Sequence, residues 1–270
     1  MNISMNEIKR NLRFILTLIR LRLSHMAVFR LSFFGAFFAD GLLFIVQMLT
    51  FNIIYGQVET IGDWSRGQML IFVGTFSMIN ALNMIIYFFG VIQIPDKIRS
   101  GDLDHYVTKP VSPLLRLTFE RMDIGSLPLI ALSWMIIAYG VRVAGVVLTP
   151  GLVLGYVVLV ALMTLLWYDM ELILRTVPFF VISSSALDRL EGEMLMLNFK
   201  IPGVLYHGAW RVLFYFVMPY GVMATVPTQF ITGALSGWGL VEGVGIAVAF
   251  TVFALWFWRF GLRHYRSASS

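Results

Sequence analysis

A chain of 270 residues that is 59% hydrophobic and 13% charged, with a mean hydropathy of +0.81, carries about half the charge of a soluble domain. The charge is clustered, with a net +5, and cysteine is absent, which excludes disulfides, thiol catalysis and zinc–thiolate sites. The composition is that of an all-α integral membrane protein. His25, His105, His207 and His264 lie too far apart for a metal-ligand motif and read as four unrelated interfacial residues.

In chain order, the first predicted element is an amphipathic helix over residues 1–26. Ile8, Leu12, Ile15, Ile19, Leu23 and Met26 recur at steps of three and four, with Lys9, Arg13, Arg20 and Arg22 mostly on other faces. Arginines interrupt it too often for the apolar core of a cleavable signal. It is expected to lie along the membrane surface against anionic lipid, and its excess of basic residues over the single acid Glu7 puts this end in the cytoplasm.

A helix rises about 1.5 Å per residue, so a span needs roughly 20 apolar residues. Spans are predicted over residues 31–55, 68–94, 124–141 and 152–168, and a last one over 240–257. Residues 169–200 are ambiguous: Glu171, Asp188, Glu191, Glu193 and the serines Ser183–Ser185 sit among apolar patches. Arg259, Arg263 and Arg266 place the C-terminus inside with the N-terminus, so the number of spans is even. Residues 169–200 must then cross once, which gives six transmembrane helices. Before the last span, residues 202–237 are apolar but interrupted by Pro202, Pro219 and Pro227, and read as broken, re-entrant helices on the extracellular side.

Trp64, Trp238, Trp256 and Trp258 fall near predicted span ends, as interfacial anchors do. Gly151 and Gly155 have the GxxxG spacing of closely packed helices. Asp40 stands about nine residues into the first span, where a carboxylate costs several kcal/mol unless paired or wet. It is a candidate intramembrane functional charge or an assembly contact. Asp169, Glu171 and Arg175 read as a helix end at the inner interface, and Asp188, Arg189, Glu191 and Glu193 in the same way.

Between spans two and three lies the polar stretch "IPDKIRSGDLDHYVTKPVSPLLRL" (residues 94–117), within which 94–116 forms the predicted cytoplasmic loop. Pro95 suits a first helical turn, Asp96 matches the helix dipole, and Gly101 suits a left-handed cap. A further turn over "DLDHYV" should end before Pro110. Ile98, Leu103, Tyr106 and Val107 give this element an apolar edge among mixed charges, which suits a protein partner better than lipid phosphate.

The stretch "IRSGDLDHYVTKPVSPL" resembles the corresponding segment of ABC-2 type transporter permeases, closest to a bacterial six-span branch. "FVMPYGVMATVPTQFITG" and "RFGLRHYRSASS" resemble that branch's prolines before the last span and its basic ending. The resemblance implies a single permease domain, 1–270, in the bacterial cytoplasmic membrane. It implies pairing with a second permease (the same or different) and with a cytoplasmic dimer of ABC ATPases. Asp96, Lys97, Ile98, Arg99, Gly101, Asp102, Leu103, Asp104, His105 and Tyr106 would form the coupling element seated in the ATPase. Pro202, Pro219 and Pro227 would shape an extracellular gate.

No GxxxxGK[ST] motif is present, so ATP and its magnesium are expected on the partner, with no cofactor or metal held by this chain and no nucleic-acid partner. The expected function is export without enzymatic activity of its own. An ion-coupled secondary transporter or channel subunit is the alternative, against which stands the lack of inverted internal repeats. An intramembrane enzyme would need a nucleophile–base pair that the sequence does not display.

Overall fold

The computed structural model describes residues 13, 15–18, 20, 38, 41–42, 45–46, 48–181 and 185–265. Much of the expected interfacial helix falls outside the described residues, as do Asp40, Ser183, Ser184 and Arg266. The described positions from 13 to 20 are helical, and so are those from 38 to 54.

The loop after the first predicted span folds into a small hairpin, β1 (Thr60–Ile61) against β2 (Trp64–Ser65), turned by Gly62 at a φ of 60°. Ser65 then caps α1 (Arg66–Asn83). Its hydroxyl accepts from the Gln68 amide, while the Gln68 side chain accepts from the Ser65 amide, so two otherwise orphaned donors are satisfied reciprocally. Trp64 is buried beside Phe72, with ring centroids 5.6 Å apart, and Trp258 is buried against Phe179. These two tryptophans are core residues and not the interfacial anchors expected of them; Trp238 and Trp256 are exposed.

α1 continues through a π-helical turn (Met84–Phe88) and Phe89–Val91 into α2 (Ile94–Ser100). Arg66–Ser100 thus forms one apolar stretch of 35 residues. Then come α3 (Asp104–Val107), α4 (Pro113–Phe119), α5 (Leu127–Val143), α6 (Pro150–Thr176) and α7 (Ser185–Lys200). The chain closes with α8 (Ala209–Val212) and its π-helical extension to Val217, α9 (Tyr220–Met223), α10 (Thr225–Ile231) and α11 (Gly237–His264).

Glycines set how closely the long helices approach. A Cβ on Gly74 would lie 2.7 Å from Ile137, and one on Gly140 would lie 2.9 Å from the Ile71 amide, so α1 and α5 pack backbone to backbone. Of the predicted GxxxG pair, Gly155 meets the Phe230 ring of α10, whereas Gly151 faces open space. The contacts also define two ends of the bundle. Gly67–Ala144, Gly155–Phe230 and Gly243–Val226 lie toward the hairpin end, and Gly90–Leu117 and Gly261–Phe179 lie toward the α2–α4 end.

Among the described residues, three helices are long and apolar enough to cross a membrane: Arg66–Ser100, Pro150–Phe179 and Gly237–His264. The pair Ala209–Val217 and Tyr220–Ile231, bent by 80°, makes a fourth if it counts as one span, and Leu127–Val143 is shorter. Residues 169–200 are not one element. Asp169–Thr176 complete α6, which runs eight residues beyond the predicted span, and α7 is a separate helix of 16 residues, about 24 Å long. That is short of the roughly 30 Å hydrocarbon core. The chain through α7 nevertheless connects the two ends of the bundle: Asp188 meets Arg175 near α2, and Leu205 packs on Gly62 of the hairpin.

Candidate functional site

The segment between α1 and α5 is a tightly ordered elbow. Pro95 occupies the first turn of α2, with Asp96 beside it, and Gly101 ends the helix in the left-handed region at a φ of 79°. The Leu103 amide then donates back to the Lys97 carbonyl at 3.0 Å. Leu103 is fully buried, and Tyr106 nearly so, in a cluster with Ile94, Leu117, Leu172 and Trp258 that ties the elbow to α6 and α11.

Tyr106 is the centre of this elbow. Lys97 Nζ donates to its hydroxyl at 2.6 Å, and that hydroxyl donates to Glu120 Oε1 at 2.9 Å. The Arg116 guanidinium sits 4.4 Å from the ring centroid and pairs with Glu120 at 3.5 Å. Burial raises the Tyr106 phenol above its ordinary value; the Lys97 hydrogen bond opposes that shift and Glu120 adds to it. The hydroxyl therefore remains a donor throughout the physiological range. Burial raises the Tyr265 phenol, beyond α11, and the nearby Asp104 and Asp102 carboxylates add to that shift.

The ten residues predicted for coupling are divided by this packing. Asp96, Arg99, Asp102 and His105 are exposed on one side, while Leu103 and Tyr106 are buried and Lys97, Ile98, Gly101 and Asp104 are intermediate. Of the expected apolar edge, Leu103 and Tyr106 are buried, Ile98 is intermediate and Val107 is half exposed. Gly90 holds α4 against α1, since a Cβ there would come within 2.1 Å of the Leu117 carbonyl oxygen. The elbow is rigid below and charged above.

The proline region at the other end is brought together as well. Pro202 precedes Gly203, whose amide donates to Thr225 Oγ1 at 2.9 Å and whose Cα lies so near Gly221 that a Cβ would sit 2.1 Å from its carbonyl oxygen. Pro219 opens α9 at the 80° bend, and Pro227 lies buried in α10. Arg211 Nη2 reaches both carboxylate oxygens of Glu242 at 2.8 Å, joining α8 to α11.

One site escaped the sequence reading. Glu171 and Arg175, expected at an interface, are buried within the C-terminal part of α6, and Arg175 draws in three carboxylates. Its Nη2 lies 2.8 Å from Glu191 and 3.3 Å from Glu171, and its Nη1 bonds Asp188. The Tyr220 hydroxyl donates to the second Glu191 oxygen at 3.0 Å. The i, i+4 spacing of Glu171 and Arg175 was the available signal. Close by, the Thr251 hydroxyl of α11 donates to Asp169.

Fold and site together define a class: an all-α membrane protein with an ordered polar elbow at one end of its bundle and broken, proline-punctuated helices at the other. The chain matches the ABC-2 family transporter protein family over residues 41–269, and it belongs to that family. No curated protein and no solved structure matches it. It is therefore a permease component of an ABC transporter, a class that associates with an ABC ATPase and performs transport, not catalysis.

Proposed function

We propose that this chain is the membrane half of an ATP-driven exporter in the bacterial cytoplasmic membrane, working as a pair of permeases on a cytoplasmic ATPase dimer. The elbow of α2 and α3 is the coupling element. The observation that carries this reading is the division between the exposed Asp96, Arg99, Asp102 and His105 and the buried Leu103 and Tyr106 beneath them. A partner pressing on the charged side moves a body already fastened to α1, α4, α6 and α11. Force applied there reaches the spans without being absorbed by a floppy loop.

In this reading the chain crosses six times with both termini in the cytoplasm, and α7 is the fifth crossing. Two of its polar residues bond within the bundle: Glu191 to Arg175 and Tyr220, and Asn198 Nδ2 to the Met194 carbonyl. The helices from Pro202 to Ile231 form the extracellular gate. ATP and magnesium belong to the partner, with none bound by this chain.

The test is co-expression with an ATPase encoded beside it. Cross-linkers placed at Arg99 or His105 should capture the ATPase, and reconstituted complex should transport only while ATP is hydrolysed. Capture of lipid alone would sink the coupling assignment. Transport that survives ATP depletion but collapses with an ion gradient would favour the secondary-transporter alternative.

A further inference from the structure

Beside the elbow, α1, α2, α6 and α7 enclose a pocket of about 400 Å³. Four carboxylates line it (Asp96, Glu171, Asp188 and Glu191) against the two guanidiniums of Arg99 and Arg175. Asp96 and Arg99 pair at 3.6 Å, which leaves three carboxylates on Arg175. Glu171 is the least satisfied of them. Its side chain is 2% exposed, and its Oε2 accepts no hydrogen bond; its ion pair with Arg175, at 3.3 Å, is the longest of the three. A buried carboxylate needs its remaining lone pairs met by donors to be stable in its charged form.

We propose that this pocket binds a small organic cation, an ammonium or amidinium group carried on an apolar body. The cationic head donates to Glu171 Oε2 and is held between Glu171, Glu191 and Asp188. Phe88, Ile92 and Leu195 supply an apolar wall for the rest of the ligand. A metal ion fits less well, since no group of three or more His, Cys, Asp or Glu among the described residues is arranged to hold one. Binding itself needs no ATPase. Calling the pocket the inward entrance for cargo rests on the permease function proposed above.

The test is calorimetric titration of the purified full chain in detergent with 4-phenylbutylammonium, and in parallel with neutral 4-phenylbutanol, which partitions into micelles without the charge. The ammonium is expected to bind saturably at one site, roughly tenfold or more tighter than the alcohol. Glu171→Gln should abolish most of that difference. Asp188→Asn, at a half-exposed position that leaves the core intact, should weaken the ammonium several-fold without affecting the alcohol. Equal binding of the two probes, or unchanged ammonium affinity in folded Asp188→Asn, overturns the site. Failure of the chain to capture an ATPase would instead sink the coupling reading and leave this result untouched.

Discussion

Gly101→Val tests the coupling elbow most directly. Gly101 holds a φ of 79°, where an L-residue costs about 1–2 kcal/mol and a β-branched one more. Opposing the strain is the burial of Leu103, worth about 1.5–3 kcal/mol. The Tyr106 hydrogen bonds add about 1 kcal/mol each. The contacts, about 3.5–5 kcal/mol together, exceed the strain, so the bundle should stay folded while the elbow is weakened. A loss of about 1.4 kcal/mol lowers the ratio of native to shifted elbow tenfold. In proteoliposomes containing permease and ATPase, transport per ATP hydrolysed should fall, by at most that factor. Gly101→Asn, which tolerates the left-handed region, should retain most of it. Wild-type coupling in Gly101→Val, with intact assembly, would refute the argument that cap geometry transmits the stroke.

Tyr106→Phe removes a hydroxyl shared by Lys97 and Glu120 and should destabilise the elbow by about 2 kcal/mol, read as faster amide exchange over residues 94–120. Since folding raises the Tyr106 pKa above 10.0, its contribution is complete below pH 10 and is lost as pH rises beyond it. Alkaline loosening of the wild-type elbow should therefore include a component that Tyr106→Phe lacks. Gly140→Val forces a side chain into the α1 backbone and should lower the melting temperature of the purified chain, at a cost of about 1–3 kcal/mol or more. Arg175→Met strands three carboxylates, and a loss of about 3–5 kcal/mol should appear as failure to elute as a monodisperse peak. Arg211→Ala breaks a pair whose arginine is half exposed and should change stability by less than about 1 kcal/mol in the same melting assay.

Local chemistry was legible wherever one residue type enforces one conformation. Pro95, Asp96 and Gly101 take the positions in α2 that their backbone preferences dictate, and Pro219 stands at the 80° bend as expected, whereas Pro227 lies inside α10. The tryptophans show where such reading stops. Trp64 and Trp258 have the same local sequence context as exposed anchors, and only the neighbours brought in by folding, Phe72 and Phe179, bury them. The glycines show the same limit, since only one of the GxxxG pair makes a close contact. GxxxG spacing marks small residues on one face but not which helix arrives there: Gly155 meets the Phe230 ring while Gly151 meets nothing, and α1 approaches α5 at Gly74 and Gly140. The elbow's Tyr106 network draws on Lys97, Arg116 and Glu120, whose separations in sequence follow no single helical period.

Residues 169–200 misled for a physical reason. Hydropathy treats each polar side chain as though it faced lipid, yet Glu191 and Asn198 point into the bundle and are nearly inaccessible. Glu191 is paired internally with Arg175 and Tyr220, while Asp188, Arg189 and Glu193 of the same helix stay exposed. That arrangement also creates a connection. Arg175 near the elbow holds Glu191, and the other oxygen of Glu191 holds Tyr220, the residue immediately after the Pro219 bend. Buried charge-assisted bonds of this kind resist being stretched singly, because breaking one leaves its partner uncompensated. If the elbow moves α6, the least costly response is for α7 and the Pro219 bend to move with it. Tyr220→Phe, which cuts that link while keeping the ring packed on Trp167, should leave ATP hydrolysis near wild type and slow transport. Unchanged transport in a folded Tyr220→Phe complex would show that the two ends of the bundle communicate by another route.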